Sequence, residues 1–262
     1  MSTYVVTGSA AGMGRATADL LREAGHTVVG IDVRAADVVA DLSDDAGRQV
    51  AIDAVRERCD VLDGVATFAG IGGATGRPAS LLASLNYFGT VRLLEAWRPL
   101  LAAAGESSVV AVSSNSTTCQ PGWDPALVEA CLSGDEQRAR AVADEGDSAT
   151  AYPATKTAVA RWVRRTAPGP DWAGAGIRLN AVAPGLVETA FVAETRADPV
   201  LGQLIGGFPL PLGRGGTAQE LASLVVFLLG PSARFFCGSV VVCDGGTEAL
   251  LRPDDWPARW EL

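Results

Sequence analysis

The chain has 262 residues, 48% of them hydrophobic and 19% charged, with a formal net charge of −9. That is enough apolar chain for one large α/β domain or two small ones, and an acidic balance without a basic run argues against nucleic acid as a partner. No apolar run approaches the ~20 residues needed to cross a bilayer, so no membrane partner is expected.

A strand that opens almost at once leaves no room for a signal peptide, by expectation. Five cysteines, odd in number and without metal-type spacing, read as reduced residues of a cytoplasmic protein. The single histidine, His26, excludes a histidine-based triad or a multi-histidine zinc site, and no metal is expected.

Tyr4-Val5-Val6 reads as a short strand ending at Thr7-Gly8. Gly12 and Gly14 follow, and Ala16, Leu20 and Leu21 recur at helical spacing until Gly25. Thr27 to Ile31 forms a second strand that ends on Asp32. Strand, glycine turn, helix, strand and acid, in that order, open a dinucleotide-binding unit. Glycines let the backbone approach a pyrophosphate, and a helix N-terminus offers amide donors and a positive dipole end. The acid can accept both hydroxyls of an adenosine ribose. The spacing Gly8-x3-Gly12-x-Gly14 departs from G-x-G-x-x-G, and any tight strand–helix turn wants glycine. Asp32 at its expected distance favours the binding reading.

A helix is expected over Asp44 to Cys59, a strand over Gly64 to Phe68 running into Ala69-Gly70, and a long helix over Asn86 to Ala104. Ser108 to Val112 reads as the strand that brings Ser113 and Ser114 to the C-terminal edge of the sheet, where open parallel sheets bind ligands. Residues 119–149 break the rhythm with two short helices, Pro125 to Leu132 and Asp135 to Asp144. They read as an insertion covering the cleft, with a passive surface excursion as the alternative.

Tyr152-Pro153-Ala154-Thr155-Lys156 carries the candidate chemistry. Pro153 suits the first turn of a helix and pushes Tyr152 out of the helical region, which predicts a helix that starts at Tyr152 and runs on through Val163. Lys156 then shares a face with Tyr152. A unit charge about 4 Å from the phenol, at an effective dielectric of roughly 20, is worth ~4 kcal/mol. That is ~3 pKa units, enough to bring a phenol from ~10 towards neutrality. The alternative is a helix-start tyrosine near a solvated lysine, a spacing common by chance.

Ile177 to Val182 is a further strand, ending at Pro184-Gly185. The segment 190–212, with Phe191, Val192, Leu204, Ile205 and Phe208, suits a lid over an apolar substrate, although ordinary packing gives a similar pattern. A helix over Ala218 to Leu229 and a strand over Ser239 to Val242 complete the sheet. The tail, with Trp256 and Trp260, has no strong period and is expected to dock on a neighbouring surface or a second subunit. Strands alternating with helices, without repeat or linker, predict one α/β domain over 1–262: a doubly wound, Rossmann-like parallel sheet with helices on both faces.

Thr7-Gly8-Ser9-Ala10-Ala11-Gly12-Met13-Gly14, Asn86, Ser114, Tyr152-x3-Lys156 and Pro184-Gly185-x3-Thr189 together make the chain resemble the short-chain dehydrogenase/reductases from Tyr4 to about Thr247. Within that family it is most similar to the bacterial 3α-hydroxysteroid dehydrogenase/carbonyl reductases, through Gly30-Ile31-Asp32-Val33-Arg34, Asp41-Leu42-Ser43, Asn86-Tyr87-Phe88-Gly89 and the position of the insertion. The resemblance implies an NAD-dependent enzyme that moves hydride between nicotinamide and a secondary alcohol or ketone.

It implies Tyr152 as general acid/base, Ser114 as hydrogen-bond partner of the substrate oxygen, and Asn86 as anchor of a water in the proton relay. Lys156 would lower the phenol pKa and hold the nicotinamide ribose, and Ser113 competes for the serine role. Gly8, Gly12, Met13 and Gly14 would line the pyrophosphate, Asp32 the adenosine ribose, and Asp41-Leu42 the adenine edge. Ala69, Gly70, Pro184, Gly185 and Val187 would complete the cofactor wall, with Thr189 on the carboxamide. A carboxylate at Asp32 would repel a 2′-phosphate, which favours NAD, whereas Arg34 could reach one.

Thr67-Phe68-Ala69-Gly70 departs from the family's Asn-Asn-Ala-Gly and puts the expected support of cofactor and sheet in doubt. In the steroid/carbonyl branch the insertion obstructs the helix pairing of most relatives. The expectation is therefore a homodimer through the last helix and strand, with a tetramer on the Asn86 and Tyr152 helices as the alternative. The apolar lid favours a hydrophobic alicyclic or steroid-like alcohol over a smaller carbonyl compound. A non-enzymatic NAD sensor would be expected to lose Tyr152 or Lys156, and an S-adenosylmethionine methyltransferase gives no reason for the Ser114–Tyr152–Lys156 set.

Overall fold

Seven strands form a single sheet in the computed structural model, which describes residues 1–120 and 122–256. They are β1 (Thr3–Thr7), β2 (Thr27–Asp32), β3 (Val38–Val39), β4 (Gly64–Thr67), β5 (Ser107–Val112), β6 (Ile177–Pro184) and β7 (Val240–Cys243). Their order is β3-β2-β1-β4-β5-β6-β7, and every neighbouring pair is parallel. The chain leaves β1 towards one edge and comes back past it to β4. The order therefore reverses between β1 and β4, the place where such sheets open a crevice at their C-terminal ends.

Both faces of the sheet are covered, so its central strands are apolar throughout: Val109, Val110 and Ala111 are all fully buried. Side-chain alternation sorts the strands between two cores. Val5, Val65, Val109 and Leu179 face the helices Asp45–Arg58, Gly89–Ala103 and Ser148–Thr166. Tyr4, Val6, Ala66, Val110 and Val182 face the helices Gly12–Glu23 and Ala218–Leu229. Full burial of a side chain such as Phe88 stabilises the fold by about 2–3 kcal/mol.

Polar side chains set the starts of three of the longer helices. Asp44 accepts from the Gly47 amide, Asp147 from the Thr150 amide, and Thr217 and Glu220 form a reciprocal capping box.

Four local features differ from the sequence reading. The edge strand β3 is new; at two residues it is too short to show a period. The helix expected from Asn86 begins at Ala79 and passes through a π-helical turn, Ala83–Phe88, before the regular helix Gly89–Ala103. The Tyr152 helix spans Ser148–Thr166, so Tyr152 lies inside it and Pro153 is an interior proline. The start is earlier because Asp147 caps the Thr150 amide, and this outweighs the preference of proline for a first turn.

The fourth difference concerns residues 119–149: among the described residues, none of them borders the cleft. The helices Pro125–Leu132 and Glu136–Asp144 bury Leu127, Val128, Cys131, Ala139 and Ala143 in the first core, against the Tyr152 helix and the Ala79–Phe88 segment. Arg48, only 3% exposed, ties the second of them down by binding both Glu136 oxygens and the Leu42 carbonyl. Trp256 is exposed, while Trp260 lies outside the described residues.

Candidate active site

The C-terminal ends of β1, β4, β5 and β6 open onto one cavity of about 330 Å³. On the β1 side its wall is the glycine turn. Gly8 (φ +68°) and Gly12 (φ +55°) both adopt left-handed backbone. A side chain at Gly14 would collide with the Gly8 carbonyl, so helix and turn meet here backbone to backbone. Ala11, at the N-cap of the helix Gly12–Glu23, has no side-chain acceptor for the first amides. Bare backbone, free donors and a positive dipole end together fit a pyrophosphate.

Asp32 closes β2 at the same wall. Its carboxylate accepts from the Ala10 amide (3.0 Å) and the Val33 amide (2.8 Å), which fixes the acid beside the turn. Met13, Leu42, Ala69, Gly70 and Val187 border the cavity, as do Pro184, Gly185 and Thr189. The Thr7 hydroxyl accepts from the Ala69 amide at 3.1 Å. This contact supports the β4 turn that Thr67-Phe68 leaves without side-chain amides.

Ser114, Tyr152 and Lys156 lie on the opposite wall. The two serines separate clearly. Ser113 is buried and donates to the Lys156 carbonyl at 2.9 Å, so its hydroxyl is occupied in joining β5 to the helix. Ser114 is the serine whose hydrogen bonding lowers the Tyr152 pKa. Its Oγ also accepts from the Ser116 amide at 3.1 Å.

Lys156, one helical turn after Tyr152, donates from its Nζ to the Val112 carbonyl at 2.9 Å. Burial lowers the Lys156 pKa to about 8 and pushes the Tyr152 phenol above its ordinary value. Desolvation is the largest cause of the Tyr152 shift and the cause of the Lys156 shift.

Three of the residues singled out from sequence stand off the cavity wall. Arg34 is exposed in the turn after β2. Asp41 is exposed and accepts from the Ser43 amide at 2.9 Å. Asn86 is fully buried in the π-helical turn, where its amide exchanges two hydrogen bonds with the Ile71 backbone (2.9 and 3.0 Å) and contacts the Thr155 hydroxyl. It pins the strand-end loop after β4 to the Tyr152 helix.

Phe191, expected as part of a lid, also reaches the tyrosine. Its ring lies 5.9 Å from that of Tyr152, and it borders the cavity with Ala190 and Val192. Two ion and dipole pairs then tie the lid to the loop after β4. Asp198 accepts from the Thr75 amide and hydroxyl (2.6 and 2.9 Å), and Glu194 pairs with Arg77 at 2.6 Å. Sequence reasoning missed this clamp because its members are 117 and 123 positions apart.

A parallel doubly wound sheet with a glycine turn, a strand-end acid and a serine–tyrosine–lysine wall on one crevice defines a Rossmann-like dinucleotide-binding class. The comparisons refine this. A family profile described as enoyl-(acyl carrier protein) reductase matches residues 137–248. The chain is 38% identical to the 3-alpha-hydroxysteroid dehydrogenase/carbonyl reductase of Comamonas testosteroni, over 97% of this chain and 99% of that protein. It is 32% identical to the cis-4-hydroxycyclohexanecarboxylate dehydrogenase of Sinomonas cyclohexanicum, over 94% and 96%.

Among solved structures, the 3-alpha-hydroxysteroid dehydrogenase of a Pseudomonas species, crystallised with NADH, superposes with a TM-score of 0.92 and 44% identity, covering 97% of this chain and all of that one. The chain belongs to the short-chain dehydrogenase/reductase family.

Proposed function

We propose that this protein is an NAD-dependent oxidoreductase that interconverts a secondary alcohol and a ketone on a hydrophobic alicyclic or steroid-like substrate. The observation that carries the reading is the convergence of Ser114, Tyr152 and Lys156 on the cavity that also exposes the glycine turn and Asp32. NADH in the Pseudomonas relative and the hydroxysteroid and hydroxycyclohexane substrates in the relatives' names support it.

In this reading Gly8, Gly12, Met13 and Gly14 cradle the pyrophosphate, and Asp32 takes the adenosine ribose and disfavours a 2′-phosphate. Thr189, Pro184, Gly185 and Val187 hold the nicotinamide end with Ala69 and Gly70. Nicotinamide dinucleotide, when bound, supplies the carbon that exchanges hydride with the substrate. Tyr152 exchanges the proton with the substrate oxygen through its hydroxyl, and Ser114 orients that oxygen. Lys156 keeps a positive charge near the ribose side of the cavity. Asn86 acts by fixing the β4 loop rather than by touching substrate.

Phe191 and Val192 supply the apolar wall, which supports a ring-shaped substrate. A small non-steroid carbonyl compound is the second reading, favoured by the carbonyl reductase activity in the Comamonas relative's name. The test is a panel of secondary alcohols, steroids and substituted cyclohexanols included, followed by NADH absorbance with NAD and NADP. Turnover with none of the panel, or equal efficiency with the two cofactors, would overturn the assignment.

We also propose a cytoplasmic homodimer assembled through the last helix and strand. Phe227, Val242 and Phe235 are exposed there, and β7 is an edge strand. The insertion helices already occupy the outer face of the Tyr152 helix. Solution mass with the variant Phe235→Asp tests this: a monomer is expected from the variant and a dimer from the parent. A tetramer that survives the change would reject the arrangement.

A further inference from the structure

Pro153 has no amide hydrogen, so the Ala149 carbonyl, four residues earlier in the helix Ser148–Thr166, loses its intrahelical donor. The proline ring also crowds that carbonyl and tilts it outward. An unpaired carbonyl at this place would destabilise the turn that carries Tyr152. The structure supplies a replacement from outside the helix: Gln120 Nε2 donates to the Ala149 oxygen at 2.8 Å, across 29 residues of sequence.

Gln120 is itself held from the other half of the site. Ser114 Oγ accepts the Ser116 amide, the Ser114 carbonyl accepts the Thr117 hydroxyl, and the one-turn helix Ser116–Cys119 ends by delivering Gln120, whose amide bonds the Ser116 carbonyl. A continuous set of hydrogen bonds thus runs from Ser114, through a single helical turn and the Gln120 side chain, to the backbone three residues before Tyr152.

We propose that Gln120 is a positioning residue that sets the Ser114–Tyr152 geometry by replacing the amide Pro153 lacks. This rests on the proton-transfer roles proposed above. Gln120 touches neither substrate nor cofactor; it acts through the helix backbone.

A double-mutant cycle isolates this role. Gln120→Leu removes the donor at similar size and is expected to lower kcat roughly ten-fold, since small misplacements of a reacting group are costly, with KM for the cofactor unchanged. Pro153→Ala restores an amide that can bond the Ala149 carbonyl within the helix. In that background Gln120→Leu is expected to change kcat less than about two-fold. Hydrogen exchange of the amides over Ala151–Thr155 should follow the same pattern, faster in Gln120→Leu and restored in the double variant.

Additive losses in kcat and exchange would overturn the proposal, because a residue that merely packs in its loop gains nothing from the new amide. An unchanged kcat in Gln120→Leu would overturn it as well. If the parent protein oxidises no alcohol of the panel, the proposed reaction falls and the positioning role with it. An active parent with an additive cycle removes this proposal alone.

Discussion

Lys156 lies one helical turn after Tyr152, yet its ammonium is bonded to the Val112 carbonyl, 2.9 Å away at the end of β5. The lysine therefore joins the Tyr152 helix to β5. A charge held in this way, almost completely buried, is an electrostatic burden on the fold.

That burden has a definite pH signature. The folded-state pKa of about 8 lies below the ordinary 10.5, so between those values the unfolded chain binds more protons and stability rises with pH. Below pH 8 the buried charge costs about 3 kcal/mol, and at pH 10 under about 1 kcal/mol. Denaturant melts of the parent and Lys156→Met should show the parent gaining about 2 kcal/mol relative to the variant between pH 7 and pH 10. Parallel pH dependences would contradict the burial argument.

Tyr152→Phe removes the exchangeable proton and leaves the ring packed against Phe191. Alcohol oxidation should fall ~100-fold or more. NADH affinity, followed by fluorescence titration, should stay within about two-fold, because the change leaves the glycine turn and Asp32 in place. Full activity would point to another base.

Ser114 lowers the Tyr152 pKa against the upward push of burial. Ser114→Ala should therefore raise the phenol pKa, so that its basic form appears only at higher pH. The ascending limb of the kcat/KM profile for oxidation, which reports the base, should move to higher pH, together with a loss of maximal rate. A profile with the parent's midpoint would assign the serine to substrate orientation only.

Asp198 accepts from the Thr75 amide and hydroxyl and from the Val200 and Leu201 amides, and these bonds hold its carboxyl well below the usual range. Asp198→Ala should free the lid from the β4 loop. The expected results are faster protease nicking within residues 190–212 and a several-fold higher substrate KM with little change in kcat. Unaltered nicking would show that Arg77–Glu194 and packing suffice.

Glu136→Ala leaves the buried Arg48 guanidinium short of its interhelical partner. Losing a charge-assisted pair at a buried arginine should lower stability by roughly 2–3 kcal/mol, read from urea melts. Activity should be untouched, since among the described residues none of the insertion borders the cavity.

The strand–helix alternation and the glycine turn were legible because each element repeats its own period over many residues. Helix ends at Asp44 and Asp135 were legible through their side-chain acceptors. Three things were not. The π-helical turn at Ala83–Phe88 leaves no mark on a 3.6-residue pattern. The local preference of Pro153 is for a first turn, whereas Gln120 and the Asp147 cap make its interior position tolerable. The Val112 carbonyl that accepts from the Lys156 ammonium comes from a strand 44 residues earlier. Each miss involves a partner supplied by the tertiary fold, which spacing within one segment cannot reveal.

The clamp between residues 75–77 and 194–198 has a bearing on how such a protein can diversify. Those two stretches hold each other, and Phe191 packs against Gly72 as well as Tyr152, so the apolar wall is carried by a paired unit at the rim. Exchanging both stretches together would reshape what the crevice accepts while the sheet, Ser114, Tyr152 and Lys156 stay as they are. Replacing either one alone would strand charges on the other.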